Sequence, residues 1–297
     1  CLRLSLGGSC IMTLLQSGIT KSLAEDYTID QSLRFDDGDS AYLSRTQTAG
    51  DRKTWTWSGW VKRGALGVTR DIFGTPSEGD GLRWYGAASN LNFLCQGSSG
   101  AWIITDAEYR DPAAWYHIVL TFDTTESVAA DRVKLWVNGE QITSFSSSSY
   151  PDEDDEFKIN ESGQVFSIGR GHGNDYLDGY LAEVYFIDGT AYDADDFGET
   201  DTTTNQWKPI DAVDDLTFGT NGFYQKYAAT ELANSFEDSS GSGNQTITAE
   251  GDAHTDTAIK KFGTASAQFD GTGDSLNCGT SDDFDFDSEN FTVEMWV

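Results

Sequence analysis

Two stretches carry residue types suited to holding a sugar. Gly171-His172-Gly173-Asn174-Asp175-Tyr176 sets imidazole, amide, carboxylate and phenol groups on a loop punctuated by glycine. Side chains of this kind exchange hydrogen bonds with hydroxyls, and an aromatic ring stacks on the C–H face of a pyranose. The second source is exposed aromatic surface. Trp84-Tyr85 and Trp102 each lie beside turn-rich sequence, Gly79-Asp80-Gly81 and Gln96 to Gly100. Plainer roles compete: a polar glycine loop is also a simple turn, and Trp84 and Trp102 also read as core. Trp55, Trp57 and Trp60 read as packing residues.

Catalytic chemistry finds less support. Cleaving a glycosidic bond with retention takes two carboxyls about 5–5.5 Å apart, which on a strand means Glu or Asp at i and i+2 or i+4. No strand-like run between residues 28 and 210 has that spacing. Glu183 and Asp188 are five apart and point to opposite strand faces. Asp152-Glu153-Asp154-Asp155-Glu156 is dense in carboxylates but follows Pro151 as a solvated loop. A Gly-x-Ser-x-Gly elbow is absent from the sequence, as is a Cys/His pair with supporting context. His117, between Tyr116 and Ile118 and opposite the apolar strand face, reads as structural. Asp283-Phe284-Asp285-Phe286-Asp287 with Glu294 mimics a calcium loop, but Ser288 stands where the loop needs Gly and Glu294 lies on a strand.

Short strands must position these residues. In Trp115 to Phe122, the residues Tyr116, Ile118, Leu120 and Phe122 share one face; Val133, Leu135 and Val137 do so in the next run. Asn138-Gly139 follows directly, a type I′ hairpin signal. Val165 to Gly169 and Tyr180 to Ile187 are further strands, and Ala194 to Phe197 is one helical turn. Many short strands with one-sided alternation predict an all-β, two-sheet antiparallel sandwich.

One passage occurs twice. Ser32-Leu33-Arg34-Phe35-Asp36-Asp37-Gly38-Asp39-Ser40 is echoed by Ser266-Ala267-Gln268-Phe269-Asp270-Gly271-Thr272-Gly273-Asp274-Ser275, and Trp60-Val61 by Trp296-Val297. Recurrence marks Phe35, Trp60 and Val61 as scaffold and predicts a modular protein that continues past Val297. The expected layout is an N-terminal segment 1–27, a domain 28–210, a connector 211–237 with a strand between Gly219 and Tyr227, and the start of a second copy at 238–297. That second segment, lacking its partner strands, should lie loosely on the first domain or stay uncompacted. Met12 reads as the true start, with residues 1–11 translated from upstream sequence.

Acidic residues outnumber basic ones 49 to 19, a net charge of -30. Nucleic acid and anionic membranes require a basic footprint and are excluded as partners. Such a charge fits a soluble protein, a salty setting or divalent cations. Of the cysteines at 1, 10, 95 and 278, Cys95 alone falls within 28–210, so that domain holds no internal disulfide. Apolar runs fall short of the ~18 residues of a membrane span.

Three phrases in order resemble the laminin-G-like jelly roll of the concanavalin A-like lectin/glucanase superfamily across about 28–200. They are the Phe-Asp-x-Gly-Asp-Ser opening, Trp115-Tyr116-His117-Ile118-Val119 followed by Lys134-Leu135-Trp136-Val137-Asn138-Gly139, and Ile168-Gly169 leading to Asp178-Gly179-Tyr180-Leu181-Ala182-Glu183-Val184. The resemblance implies a jelly-roll sandwich and a structural His117. It also implies Ca2+ as the commonest cofactor, for which Asp80 and Asp175 are the candidate ligands by position. The Asp/Gly/Thr-rich style and tandem arrangement look like such domains in tail-fibre and virion proteins of marine bacteriophages. The expectation is a non-catalytic glycan-binding module in a tandem array, in a phage virion or otherwise extracellular. It would meet cell-surface or extracellular polysaccharide through Trp84, Tyr85, Trp102, His172, Asn174, Asp175 and Tyr176, and would form a homotrimer in a fibre. The alternatives are a virion spacer without ligand and an accessory part of a polysaccharide-degrading enzyme.

Overall fold

The computed structural model describes residues 27–77, 79–96, 100–227, 248–250 and 254–255. The expected start at Met12, the calcium-like run at 283–294 and most of the predicted second copy lie outside them. The chain opens with β1 (Leu33–Phe35), β2 (Tyr42–Thr46), β3 (Thr54–Arg63), β4 (Arg70–Gly74), β5 (Gly81–Tyr85) and β6 (Asn90–Cys95). It continues with β7 (Ala101–Glu108), β8 (Trp115–Asp123), β9 (Val133–Val137), β10 (Glu140–Gln141), β11 (Phe145–Ser149) and β12 (Val165–Ile168). It closes with β13 (Gly179–Asp188), β14 (Gly198–Thr200), β15 (Trp207–Pro209), β16 (Phe223–Gln225), β17 (Thr248–Glu250) and β18 (His254–Thr255).

Two eight-stranded antiparallel sheets face each other in a jelly-roll sandwich, as the alternation predicts. The first sheet runs β10-β9-β8-β3-β13-β1-β18, with β16 also paired to β13. The second runs β11-β7-β6-β5-β4-β12-β2-β17, and β14-β15 form a separate ribbon. Asn138 and Gly139, at φ 52° and 81°, make the tight turn from β9 to β10. The expected helical turn is a 3-10 turn over Ala194–Asp196, capped by Asp193.

Aromatic rings fill the space between the sheets. Trp55 stacks on Phe122 at 5.0 Å and Trp57 on Phe73 at 4.9 Å, all buried. Gly59 continues that inward row, where a Cβ would lie 2.7 Å from the Trp57 ring. Burying each such side chain stabilises the fold by roughly 1.5–3 kcal/mol.

Trp60 sits one step out of that row and faces the other way. It packs with Ile29, Trp115, Tyr180 and Ala182 outside the first sheet. Residues 190–227 spread a second apolar layer over the same face, uniting Val119, Trp136, Tyr185 and Ile187 with Phe197, Ala212, Phe218 and Tyr224. Every residue of β13 is therefore buried, the pattern of a strand covered on both faces. The stretch read as a connector from 211 packs on the domain through Tyr227, and Phe223 enters the main core. The outward face of the second sheet has no comparable apolar layer among the described residues.

Candidate functional site

The candidate site is built on that second face. Alternation sends Leu82 and Trp84 of β5 inward, while Arg83 and Tyr85 face out. Trp84 is 1 % exposed, ringed by Tyr109 and Tyr116 and lying under the Arg63 guanidinium at 4.7 Å. A sugar-stacking ring needs an open face, so Trp84 leaves the candidate set. Its neighbour Tyr85 is 42 % exposed and Trp102 on β7 is 40 % exposed.

Register fixes how these residues lie. Gly81 pairs with Leu94, which pairs with Trp102, which pairs with Ser149. One row along, Asp71, Arg83, Asn92 and Ile104 are successive partners. Trp102 therefore belongs to the end of the sheet near the 75–80 loop, and Tyr85 to the far end of β5. The Trp102 indole N–H donates to Ser147 Oγ at 3.0 Å, which fixes the ring's tilt while leaving it in solvent.

Glycine brings the predicted loop to the same end. Gly74 and Gly81 are partners on β4 and β5, and a Cβ on Gly74 would lie 3.2 Å from Gly171 Cα. The missing side chain at Gly74 lets the 3-10 turn His172–Asn174 fold over the sheet, while Gly81 lets the β4 backbone approach closely. Asp71 Oδ2 tacks it down by accepting from Gly171 N–H at 3.1 Å, and Asp71 N–H donates to Asp175 O at 2.7 Å. Exposed His172 then neighbours Gly79 and Gln96. Tyr176 is half-buried, its ring 5.9 Å from that of Tyr42, with the Arg170 guanidinium over both. His172 thus sits beside the start of β5 and the end of β6, Asn174 and Asp175 follow in the turn beside β4, Tyr176 lies by β2 beyond β4 and β12, and Trp102 is on β7, beyond β6.

Burial raises the Asp71 carboxyl to about 7; Arg83 opposes the shift and Asp175 adds to it. Arg83 Nε–H donates to Asn92 Oδ1 at 2.9 Å, and Asn92 donates to Phe93 O and Ile103 O at 3.1 Å. Arg83, Asn92 and Asp71 were not found from the sequence; their period-2 alternation with Leu82, Leu91 and Ile72 was the available signal.

Asp80 does not fit a calcium ligand. It is buried, and both carboxylate oxygens accept main-chain N–H groups, Gln96 at 2.7 Å and Lys158 at 2.6 Å. It pins loops together, with its pKa raised by burial against those bonds. Among the described residues no group of three or more His, Cys, Asp or Glu is arranged to hold a metal ion.

The remaining carboxylates and His117 are tied into structure. Glu183 sits at φ 49° on a bulge where β13 advances three residues, Ala182 to Tyr185, against two on β3, Trp60 to Ser58. Its Oε2 accepts from Tyr27 and Tyr185 at 3.0 Å and from Tyr224. Asp188 accepts instead from Asp51 N–H at 2.7 Å, Asn160 Nδ2 at 2.9 Å and Asn221 N–H at 2.9 Å. The two sets share no residue. His117 Nδ1 accepts from the Trp207 indole at 2.9 Å, which places the imidazole proton on Nε2, where it donates to Ser58 Oγ at 2.9 Å. Burial holds its pKa down at about 3.

A model of the concanavalin A-like lectin/glucanases superfamily, Laminin_G_3, matches residues 36–195. No curated protein matches the chain. Among solved structures, a proposed carbohydrate-binding protein of Bacteroides ovatus aligns at 18 % identity and TM-score 0.50, over 76 % of this chain and 60 % of that one. This chain thus spans about three-fifths of that protein's length. The SAP-like pentraxin of Limulus polyphemus aligns at 16 % identity and TM-score 0.40, covering 54 % of this chain and 76 % of that one. Domain 4 of the arabinanase AbnA of Geobacillus stearothermophilus, solved with arabinotriose, aligns at 18 % and 0.38, covering 54 % and 77 %. At these identities the likeness is one of fold. With a family model spanning more than half its length over the strands just described, the chain belongs to the concanavalin A-like lectin/glucanase superfamily.

Proposed function

We propose that this chain is a non-catalytic glycan-binding module whose ligand lies on the outward face of the second sheet. One observation carries the reading: Trp102, held by Ser147 yet open to solvent, lies at the same end of the sheet as the tacked-down His172 turn, with Leu94 and Gly81 beside it in its row and Asn92 and Arg83 one row along. An aromatic platform beside hydroxyl-bonding groups is what a pyranose needs. The setting we propose is a tandem array in a phage tail fibre or another extracellular protein, trimeric in the fibre. Linked weak sites then gain effective concentration. A charge of -30 turns the module toward neutral surface polysaccharide.

The test is retention on immobilised bacterial surface polysaccharides. Trp102→Ala is expected to abolish retention of the folded protein, with Tyr85→Ala and His172→Ala weakening it. Unchanged retention of Trp102→Ala would remove the site. EDTA is expected to leave retention intact, because Asp80 is committed to main-chain bonds; loss with EDTA would put a cation at Asp175.

A second reading, a virion spacer without ligand, draws on one specific observation. Asn92 and the Nε–H of Arg83 already spend their hydrogen bonds within the sheet. Absence of retention on every polysaccharide tried, with the domain folded, is the result that favours it.

A further inference from the structure

The sandwich has a flank where both sheets would otherwise end in edge strands with buried apolar residues. β1 of the first sheet and β2 of the second follow each other in the chain, joined by a turn in which Asp36 Oδ1 accepts from Gly38 N–H at 2.9 Å. Their inner neighbours are β13 and β12. The opposite flank ends in β10, only Glu140–Gln141 and exposed, and in the serine-rich, mostly exposed β11. Exposed polar edges resist strand addition, whereas edges with alternating apolar residues invite it. β1 and β2 are of the second kind, with Leu33, Phe35 and Leu43 buried.

Both edges are occupied. β17 runs antiparallel along β2, with Thr248, Ala249 and Glu250 opposite Ser44, Leu43 and Tyr42. β18 runs antiparallel along β1, with His254 and Thr255 opposite Arg34 and Leu33. These strands come from sequence ahead of Ser266 to Ser275, the second occurrence of the opening motif. In the first occurrence that motif supplies Phe35, the last residue of β1, and the turn beginning at Asp36.

We propose that β17 and β18 are an edge seal for this domain, supplied by the segment leading into the following unit. The partner for the β1–β2 flank is thus a strand of this same kind of chain, added by main-chain pairing. Successive units are then joined by shared sheets rather than hung on a slack linker. The seal makes only three and two residue pairs on its two edges, few enough for it to be exchanged for an equivalent strand.

Hydrogen exchange on the full 297-residue chain tests this. Amides of Leu33, Arg34 and Tyr42–Ser44 that point toward the seal are expected to exchange at least roughly tenfold slower than the outward-pointing amide of Glu140–Gln141, an open edge. The double variant Ala249→Pro, Thr255→Pro should bring them up to the rate of that open edge, with β8 and β13 still protected. A synthetic peptide covering residues 245–258 should then slow them again. Wild-type edges as fast as Glu140–Gln141, or edges unmoved by the prolines, would overturn the proposal. If the variant also loses β8 protection it has unfolded, and the wild-type comparison alone decides.

Discussion

Tryptophan stands on the outward face of both sheets, Trp60 on the first and Trp102 on the second, and the surroundings decide what each can do. Trp60 lies under Trp115, Tyr180 and Ile29 and is 6 % exposed. Beside it, His117 has both ring nitrogens bonded, and Glu183 gathers tyrosine hydroxyls at its bulge. Residues 190–227 turned that face into a second core. Among the described residues the second sheet has no such layer: Trp102 is held by one side-chain hydrogen bond and is 40 % exposed. Polar residues on the covered face are tied into structure, whereas on the second sheet's face Trp102, Tyr85 and His172 remain exposed to solvent.

The largest expected effect breaks the comparison at its two tryptophans. Trp60→Ala should cost about 3–5 kcal/mol in urea unfolding, whereas Trp102→Ala should stay within about 0.5 kcal/mol of wild type. A large loss for Trp102→Ala would make both faces structural. Next comes the bulge: Glu183→Gln, which weakens the acceptor for the tyrosine hydroxyls, should cost about 1–3 kcal/mol without altering glycan retention.

A smaller effect separates the faces by pH. His117 has a folded pKa of about 3, against about 6.5 in an unfolded chain. Between those values only the unfolded chain takes the proton, so stability falls as pH drops through that window. Asp71, beside the candidate site, has the opposite sign. Raised to about 7 by burial, it holds a proton that the unfolded chain has lost, and its contribution, present below about pH 4, is lost as pH rises through 7. Urea midpoints between pH 4 and 7 should therefore respond in opposite senses: relative to wild type, His117→Gln should gain stability as pH falls through that window, and Asp71→Asn should gain it as pH rises. The reverse assignment would contradict the burial of one group or the other.

Much of the fold was legible because strands write their faces at period 2. The inward sets Ile118, Leu120, Phe122 and Val133, Leu135, Val137 are as the alternation places them. The same rule, applied to Trp84-Tyr85, already separates the two onto opposite faces, so grouping them by nearness to a turn put a core residue into the site. Trp102 and the His172 turn were recognisable by residue type, but the turn's place on the sheet was not, since it depends on Gly74 leaving room for Gly171. The outer core was hidden for another reason. Residues 211–227 are acidic and short on periodicity, and their apolar residues gain meaning only against β13. Its run Tyr180 to Ile187, apolar nearly throughout, was the signal that both faces are covered.

Trp102 offers the most direct test of the central claim, through its indole. In a proton–nitrogen NMR spectrum of the full chain, Trp60, Trp102 and Trp207 can each be assigned by single substitution to Phe. On titration with oligosaccharides released from a polysaccharide that retains the protein, the account predicts that the Trp102 signal shifts while those of Trp60 and Trp207 stay in place. Shifts at Trp60 and Trp207 with Trp102 unmoved would contradict it and move the site to the covered face.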